Sequence, residues 1–181
     1  MNNLFWNKLS ADNHLHIPPD IRPWLIHTGS LTTRLRETCD NFSVKLIAQN
    51  QRAAQPHEID LLDIIDAPLI IEREVLLFCG DTPVIYARSF IPLKALKDRF
   101  ADLNTMGTQP LGEKIFADPE LKRSNIEWTI LTENHPSYPH AVSELQKAPD
   151  KIYGRRSLFF GAPSPILISE FFLPPLAMLQ K

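Results

Sequence analysis

Short apolar runs separated by turn residues recur along the chain and predict a hairpin-rich protein. The clearest example is IEREVLLFCGDTPVIYARSFIP, in which residues 68–79 and 84–91 flank a turn and form a hairpin. A second hairpin joins RRSLFFG to PILISEFFLP across APSP. FSVKLIAQN and SNIEWTILT each add one strand. We therefore predict about five or six strands, most of them joined by hairpins.

Short helices are predicted between these strands. Ser30 is a suitable N-cap, and Leu31 and Leu35 then fall on one side of a helix that runs to about Cys39. Further short helices or turns are predicted in HEIDLLD, PLKALKDRF, TQPLGEKIF and AVSELQK. The combination indicates an α+β fold, a single antiparallel sheet of about six strands with short helices packed on one side. No domain boundary is visible, so residues 1–181 are predicted to form one domain.

Composition excludes several classes of protein. Of 181 residues, 44% are hydrophobic and 22% charged, and the net charge of −2 gives no basic field for nucleic acid or an anionic membrane. No window holds the roughly 18 uninterrupted apolar residues of a membrane span. Cys39 and Cys79 do not make a disulfide framework, and we interpret them as packing residues of a reduced, cytoplasmic protein. The histidines lack partners at zinc-like intervals, so we expect no metal, and we expect a monomer without nucleic-acid or membrane partners.

Arg73 and Arg88 interrupt the two apolar runs of the first hairpin. A loop of two residues (Asp81 and Thr82) or of four would place Arg88 opposite Val75, and both guanidinium groups would then project from one face. Like charges this close need water or anions, and a guanidinium matches a carboxylate with two parallel hydrogen bonds. The hairpin therefore indicates half of a site for a small acid with two carboxylates. The alternative is a solvated face, or pairing of the arginines with nearby acids such as Glu72 and Glu74.

Glu170 is the acid in the otherwise apolar run ILISEFFLP. A buried carboxylate is costly unless it is paired, so it belongs either to a site with Arg73 and Arg88 or to a structural salt bridge with an arginine. In the site it would supply one proton-transfer group. At most one of Arg155 and Arg156 would face that site, because neighbours in a strand point to opposite faces, and the other would be a solvated edge residue.

Five blocks in fixed order carry a resemblance that covers the chain from about Trp24 to Pro174. They are WLIHTGSLTTRL, EREVLLFCGDTPVIYARSFIP, PLGEKIF, YGRRS and ISEFFLP, and together they resemble the chorismate lyases of ubiquinone biosynthesis. The resemblance implies cofactor-free cleavage of chorismate to 4-hydroxybenzoate and pyruvate, the first committed step toward ubiquinone. It also implies a sheet of about six strands and a buried site closed by helical flaps.

The resemblance also implies roles for individual residues. Arg73 would hold a carboxylate, Arg88 would be a second anion contact with a catalytic role, and Glu170 would contact the ring substituent at C4 and serve as the catalytic acid or base. Leu31 and Leu111 would be apolar flap residues that touch the ligand. Ala87 stands where the family has glycine, Ser169 replaces a threonine, and Leu31 a methionine.

A binding module is the rival interpretation. Effector domains of some transcription regulators resemble chorismate lyase in fold and bind small ligands without converting them. They normally follow a helix-turn-helix unit, for which the roughly 20 residues before IRPWLI are too few. A scaffold role has no support beyond the tail LPPLAMLQK.

Overall fold

The computed structural model describes residues 4–10, 13–64, 69–96, 107–161 and 164–179. One antiparallel sheet of eight strands forms its centre, in the order β1-β6-β7-β8-β4-β3-β2, with β5 pairing with β7. The strands are β1 (Asn7–Lys8), β2 (Phe42–Ala53), β3 (Leu69–Cys79), β4 (Thr82–Pro92), β5 (Lys122–Arg123), β6 (Glu127–Leu131), β7 (Ile152–Phe160) and β8 (Ile166–Phe172). The α+β antiparallel architecture is confirmed. The count of about six is too low because β1 and β5 have two residues each, too few to show alternation.

The helices are α1 (Arg22–Leu25), α2 (Leu31–Thr38), α3 (Pro56–Leu62), α4 (Leu111–Ala117) and α5 (Tyr138–Val142), with 3₁₀ turns at His14–His16, Leu93–Leu96 and Pro174–Leu179. The predicted start of α2 is confirmed, since the Ser30 hydroxyl accepts a hydrogen bond from the Thr33 N–H. The helix expected in AVSELQK begins earlier, at Tyr138. Only the first residues of PLKALKDRF form the 3₁₀ turn, and its last four lie outside the described residues.

Helices cover both faces of the sheet, which corrects the expectation of one covered side. On one face, Leu31 and Leu35 of α2 pack on Val75 and Leu77 of β3. Leu111 and Ile115 of α4 extend that layer. On the other face, Leu62 of α3 packs against Phe90, and Ala141 of α5 lies in a cluster with Tyr86 and Phe171. Tertiary burial on two faces explains why β3, β4 and β8 are almost continuously apolar.

The register of the first hairpin differs from the prediction by one residue. Its two-residue turn is Gly80-Asp81, with Gly80 at φ +59°, and not Asp81-Thr82. A bulge follows, because Leu77 pairs with Ile85 and Phe78 pairs with Pro83. Arg73 therefore pairs with Ser89, and Arg88 with Glu74. The prediction that Arg73 and Arg88 project from one face is wrong; they lie on opposite faces of the sheet.

Cys39 and Cys79 form a disulfide, which corrects their interpretation as separate packing residues. Cys39 is the C-cap of α2 and Cys79 ends β3, so the bond ties the end of this helix to the hairpin. The cysteines therefore no longer support a reducing compartment. No helix in the described ranges has the length and hydropathy that a membrane span needs.

Candidate active site

A small enclosed cavity lies between the sheet and the first residues of α2 and α4, with a volume of about 40 Å³. Four of the five predicted site residues line it, namely Leu31, Arg73, Leu111 and Glu170. Arg88 does not, because it projects from the other face.

Arg73 places a charged side chain in the floor of this cavity. The residue is 2% exposed, and its Nη2 donates to the carbonyl oxygens of Gly107 and Gln109, at 2.9 and 3.0 Å. Its Nε has no hydrogen-bond partner among the described residues. Burial lowers the pKa of Arg73. The neutral carbonyls orient the guanidinium without supplying a countercharge.

Arg123 is a second cation in the same cavity, and the sequence interpretation missed it. Its Nε donates to the Ser157 hydroxyl at 2.9 Å and its Nη1 to the Thr28 carbonyl at 3.0 Å. Burial, and then the charge of Arg155, lower the pKa of Arg123 to about 10, while Glu170 acts in the opposite direction. The side chain is therefore charged at neutral pH. It lies on the two-residue β5, inside the polar stretch ELKRSN, where no apolar run marks it as buried.

Glu170 faces the cavity from β8 and is paired with Arg155, not with Arg73 or Arg88. Arg155 pairs with it across β7 and β8, and the Arg155 Nε lies 2.7 Å from the Glu170 Oε2. Arg155 is 1% exposed and also donates to backbone carbonyls of α1 and the residues after it. The alternative of a salt bridge is thus correct, but Glu170 still lines the cavity, and Arg155 holds its carboxylate at the wall.

The expectation for the two arginines of YGRRS is correct in part. Arg155 projects from the same face of the sheet as Glu170, and Arg156 projects from the opposite face, as alternation requires. Arg156 is not an edge residue, because β7 lies between β6 and β8.

Arg88 follows the alternative prediction, in which the arginines of the hairpin pair with nearby acids. Its guanidinium binds the Glu72 carboxylate, and its Nε lies 4.0 Å from the Glu74 Oε1. Arg88 thus has carboxylate partners, whereas Arg73 and Arg123 have none among the described residues.

Two helix starts form the cover of the cavity. Leu31 is the first residue of α2 and Leu111 the first of α4, and both are buried. A Cβ added to Gly112 would lie 3.2 Å from the Thr32 hydroxyl, so the glycine permits the close approach of the helices. An ion pair of Arg36 with Glu113 links them on the outside. The cover presents apolar side chains to the charged floor.

The arrangement suits a flat, doubly negative molecule. Two cations without carboxylate partners among the described residues would meet two carboxylates, and the apolar cover would enclose the ring. The Arg155–Glu170 pair leaves one acid beside the ligand for hydrogen bonding or proton transfer. Among the described residues no group of His, Cys, Asp and Glu is arranged to hold a metal ion.

Known proteins similar to this chain fall into two groups. A family model described as chorismate lyase matches residues 1–180. A probable chorismate pyruvate-lyase of Nitrosomonas europaea is 34% identical and the match covers 90% of this chain and 91% of that protein. One of Nitrosospira multiformis is 35% identical with the same coverage.

Solved structures form the second group. The effector domain of PhnF from Mycobacterium smegmatis has a TM-score of 0.62 and 13% identity, with 82% of this chain and 91% of that chain covered. The C-terminal domain of the histidine utilization repressor from Pseudomonas syringae pv. tomato has a TM-score of 0.53 and 14% identity, with 74% and 92% covered. At such identity the likeness establishes the fold alone.

Proposed function

The chain belongs to the chorismate lyase family, and we propose that, as a single domain without a cofactor, it cleaves chorismate to 4-hydroxybenzoate and pyruvate. The product is the aromatic acid from which ubiquinone is built. The observation that carries the proposal is that one cavity is lined by a buried and a half-buried arginine, Arg73 and Arg123, neither of which has a carboxylate partner among the described residues.

Substrate binding follows from charge and shape. Chorismate has one carboxylate on the ring and one on the enolpyruvyl ether, and Arg73 and Arg123 would each bind one of them. Leu31 and Leu111 would lie over the ring. Arg88, on the other face, has no part in this arrangement.

Aromatisation of the ring favours the reaction, so the protein has to supply little chemistry for the bond changes. The C3–O bond of the enolpyruvyl ether breaks, the hydrogen on C4 leaves as a proton, and the ring becomes aromatic. The released enolpyruvate gains a proton at its methylene carbon and becomes pyruvate. The site therefore has to hold one reactive conformation and exclude water. Glu170 would contact the C4 substituent and accept or relay the proton.

Flap movement is a necessary part of this proposal. A volume of about 40 Å³ holds a few water molecules and is too small for chorismate. The starts of α2 and α4 must therefore move apart for the substrate to enter and close again over it.

A direct assay tests the proposal. Purified protein is mixed with chorismate and EDTA, without nucleotide, while 4-hydroxybenzoate is followed by absorbance and pyruvate by coupled reduction. We expect both products in a ratio near one, at a rate proportional to protein concentration. Absence of both with correctly folded protein would refute the activity.

A binding module remains the second candidate, because the effector domain of PhnF shares the fold. It would bind chorismate or a similar acid and leave it unchanged. Saturable chorismate binding without product formation would favour this alternative.

The expectations of a cytoplasmic location and a monomeric state stay predictions. Size-exclusion chromatography checks the monomeric state.

A further inference from the structure

The opposite face of the sheet holds a larger cavity, of about 450 Å³. Its floor is formed by β4, β7 and β8, which also contribute to the active-site cavity, because neighbouring residues of a strand alternate between the two faces. Ala87 and Glu170 line the active-site cavity and Arg155 projects from the same face, while Arg88, Ser169 and Arg156 line the larger cavity. Its volume lies within the range of small-molecule sites, roughly 300–1,000 Å³.

A row of charged and polar side chains crosses this face of the sheet, and its three central members line the cavity. In register across five strands stand Glu74, Arg88, Ser169, Arg156 and Glu127. The serine thus lies between two arginines, each one strand away, which is about 4.8 Å in the hydrogen-bonding direction. The Ser169 hydroxyl makes no hydrogen bond within the described part of the chain.

The two arginines are held from their outer sides. The Nε of Arg156 donates to the Glu127 Oε2 at 2.7 Å, and its Nη groups have no hydrogen-bond partner among the described residues. Arg88 is held by Glu72 on its other flank. The acids therefore fix both side chains, and both arginines line the cavity together with Ser169.

The other titratable groups of the cavity leave this positive character in place. Glu58 is committed to Arg52 through two hydrogen bonds of 2.7 Å. Burial, and then the charge of Arg88, lower the pKa of His135, so this imidazole is neutral at pH 7. His57 also lines the cavity, beside Glu58. A bound anion would meet no carboxylate in this lining that lacks a cationic partner.

Aromatic rings form the walls. Phe90 and Phe171 rise from the floor, and Phe5 and Trp6 approach from the N-terminal segment. Trp6 lies 6.3 Å from the Phe171 ring, and the Arg156 guanidinium lies 4.5 Å from the Trp6 ring centroid. Such walls favour the binding of a flat aromatic ring, because the ring buries apolar surface against them.

We propose that this second cavity binds a small planar aromatic carboxylate, with the carboxylate over Ser169 between Arg88 and Arg156. The ring would lie among Trp6, Phe90 and Phe171. This site is separate from the proposed active site and does not depend on the activity proposed there.

Counting sites tests the inference. Equilibrium dialysis of 4-hydroxybenzoate against the full chain should give two bound equivalents for the wild type. Arg73→Met disables the active cavity and should leave one equivalent, whose binding quenches the fluorescence of Trp6. Adding Arg156→Met should weaken that remaining equivalent at least tenfold, whereas Lys8→Met, which removes an exposed charge on the nearby β1, should not.

A second variant tests the same site independently, in case Arg156→Met impairs folding. Trp6→Ala lies in the N-terminal segment and should also weaken the remaining equivalent several-fold. The proposal is overturned if Arg73→Met binds no 4-hydroxybenzoate, or if its remaining binding is indifferent to both Arg156→Met and Trp6→Ala. A failure of chorismate turnover would leave these outcomes unchanged, so the two proposals fail separately.

Discussion

Burial of Arg73 is costly for the fold, and we propose that this residue is necessary for substrate binding. A guanidinium that is 2% exposed has lost almost all of its hydration, and the carbonyls of Gly107 and Gln109 restore only part of it. An anionic ligand would supply the missing charge. The position therefore makes sense if the cavity is occupied during function.

Arg73→Ala tests this role. A charge-assisted hydrogen bond is worth about 1.5–3 kcal/mol, so kcat/KM for chorismate should fall about tenfold to hundredfold. Steady-state kinetics at neutral pH measure the change. Wild-type kcat/KM in a folded variant would exclude Arg73 from substrate binding.

Glu170→Gln separates shape from proton transfer. The amide keeps the size of the side chain and a hydrogen bond to the C4 substituent, but it cannot exchange a proton as an acid. We expect kcat to fall by about 10²-fold or more, with a smaller change in KM. Turnover equal to that of the wild type would show that the elimination proceeds without this carboxylate.

At the scale of elements, α2 and α4 act as a pair. Ser30 caps the first, Gly112 lies in the first turn of the second, and their starts meet above the cavity. Helices this short have little stability of their own, so packing on the sheet and on each other holds them. This makes them suited to open and close.

Gly112→Val tests the close approach. Even the Cβ would lie 3.2 Å from the Thr32 hydroxyl, so the valine forces the helices apart. Overpacking of this kind costs about 1–3 kcal/mol, and KM for chorismate should rise several-fold because the cover closes poorly. The matched change Ala117→Val, at the exposed end of the same helix, should alter neither quantity. Equal KM values for the two variants would argue against a closing cover.

Elements were more predictable than the relations between them. Ser30 and the spacing of Leu31 and Leu35 define α2, and the long apolar runs define the strands. The register of β3 and β4 was not predictable, because the bulge beyond Leu77 leaves no sequence signal and a shift of one residue reverses every side chain. Arg123 was missed for a similar reason, since contacts with residues far away in the sequence, at His27, Thr28 and Ser157, place it at the cavity.

At the scale of the whole molecule, the sheet separates two charge systems. One face carries the cations of the candidate active site, and the other carries an ion-pair network in which Arg52 binds Glu58 and Glu72. Burial favours protonation of both acids, but hydrogen bonds and charge from Arg52 outweigh it and hold the pKa of Glu58 and of Glu72 below the usual value. Arg88 contributes in the same direction at Glu72.

This network predicts acid sensitivity. Because the folded pKa values lie below the unfolded value of about 4.3, the stabilisation is present above that pH and is lost as pH falls through the folded values. The free energy of unfolding in urea should therefore decline below about pH 4. Arg52→Met should cost about 3–5 kcal/mol at pH 7 and flatten this decline. If the free energy of unfolding depends on pH in the same way in the wild type and in Arg52→Met, the ion pairs of Arg52 are not the cause of the acid sensitivity.

We propose that Arg73 and Arg123, not Arg73 and Arg88, hold the doubly charged substrate in one cavity. The most direct measurement is kcat/KM for chorismate in Arg123→Met beside Lys122→Met, which removes the neighbouring exposed charge on β5. We predict a loss of about tenfold to hundredfold for Arg123→Met and little change for Lys122→Met. Wild-type kcat/KM in a folded Arg123→Met protein, or an equal loss in both variants, would contradict the claim.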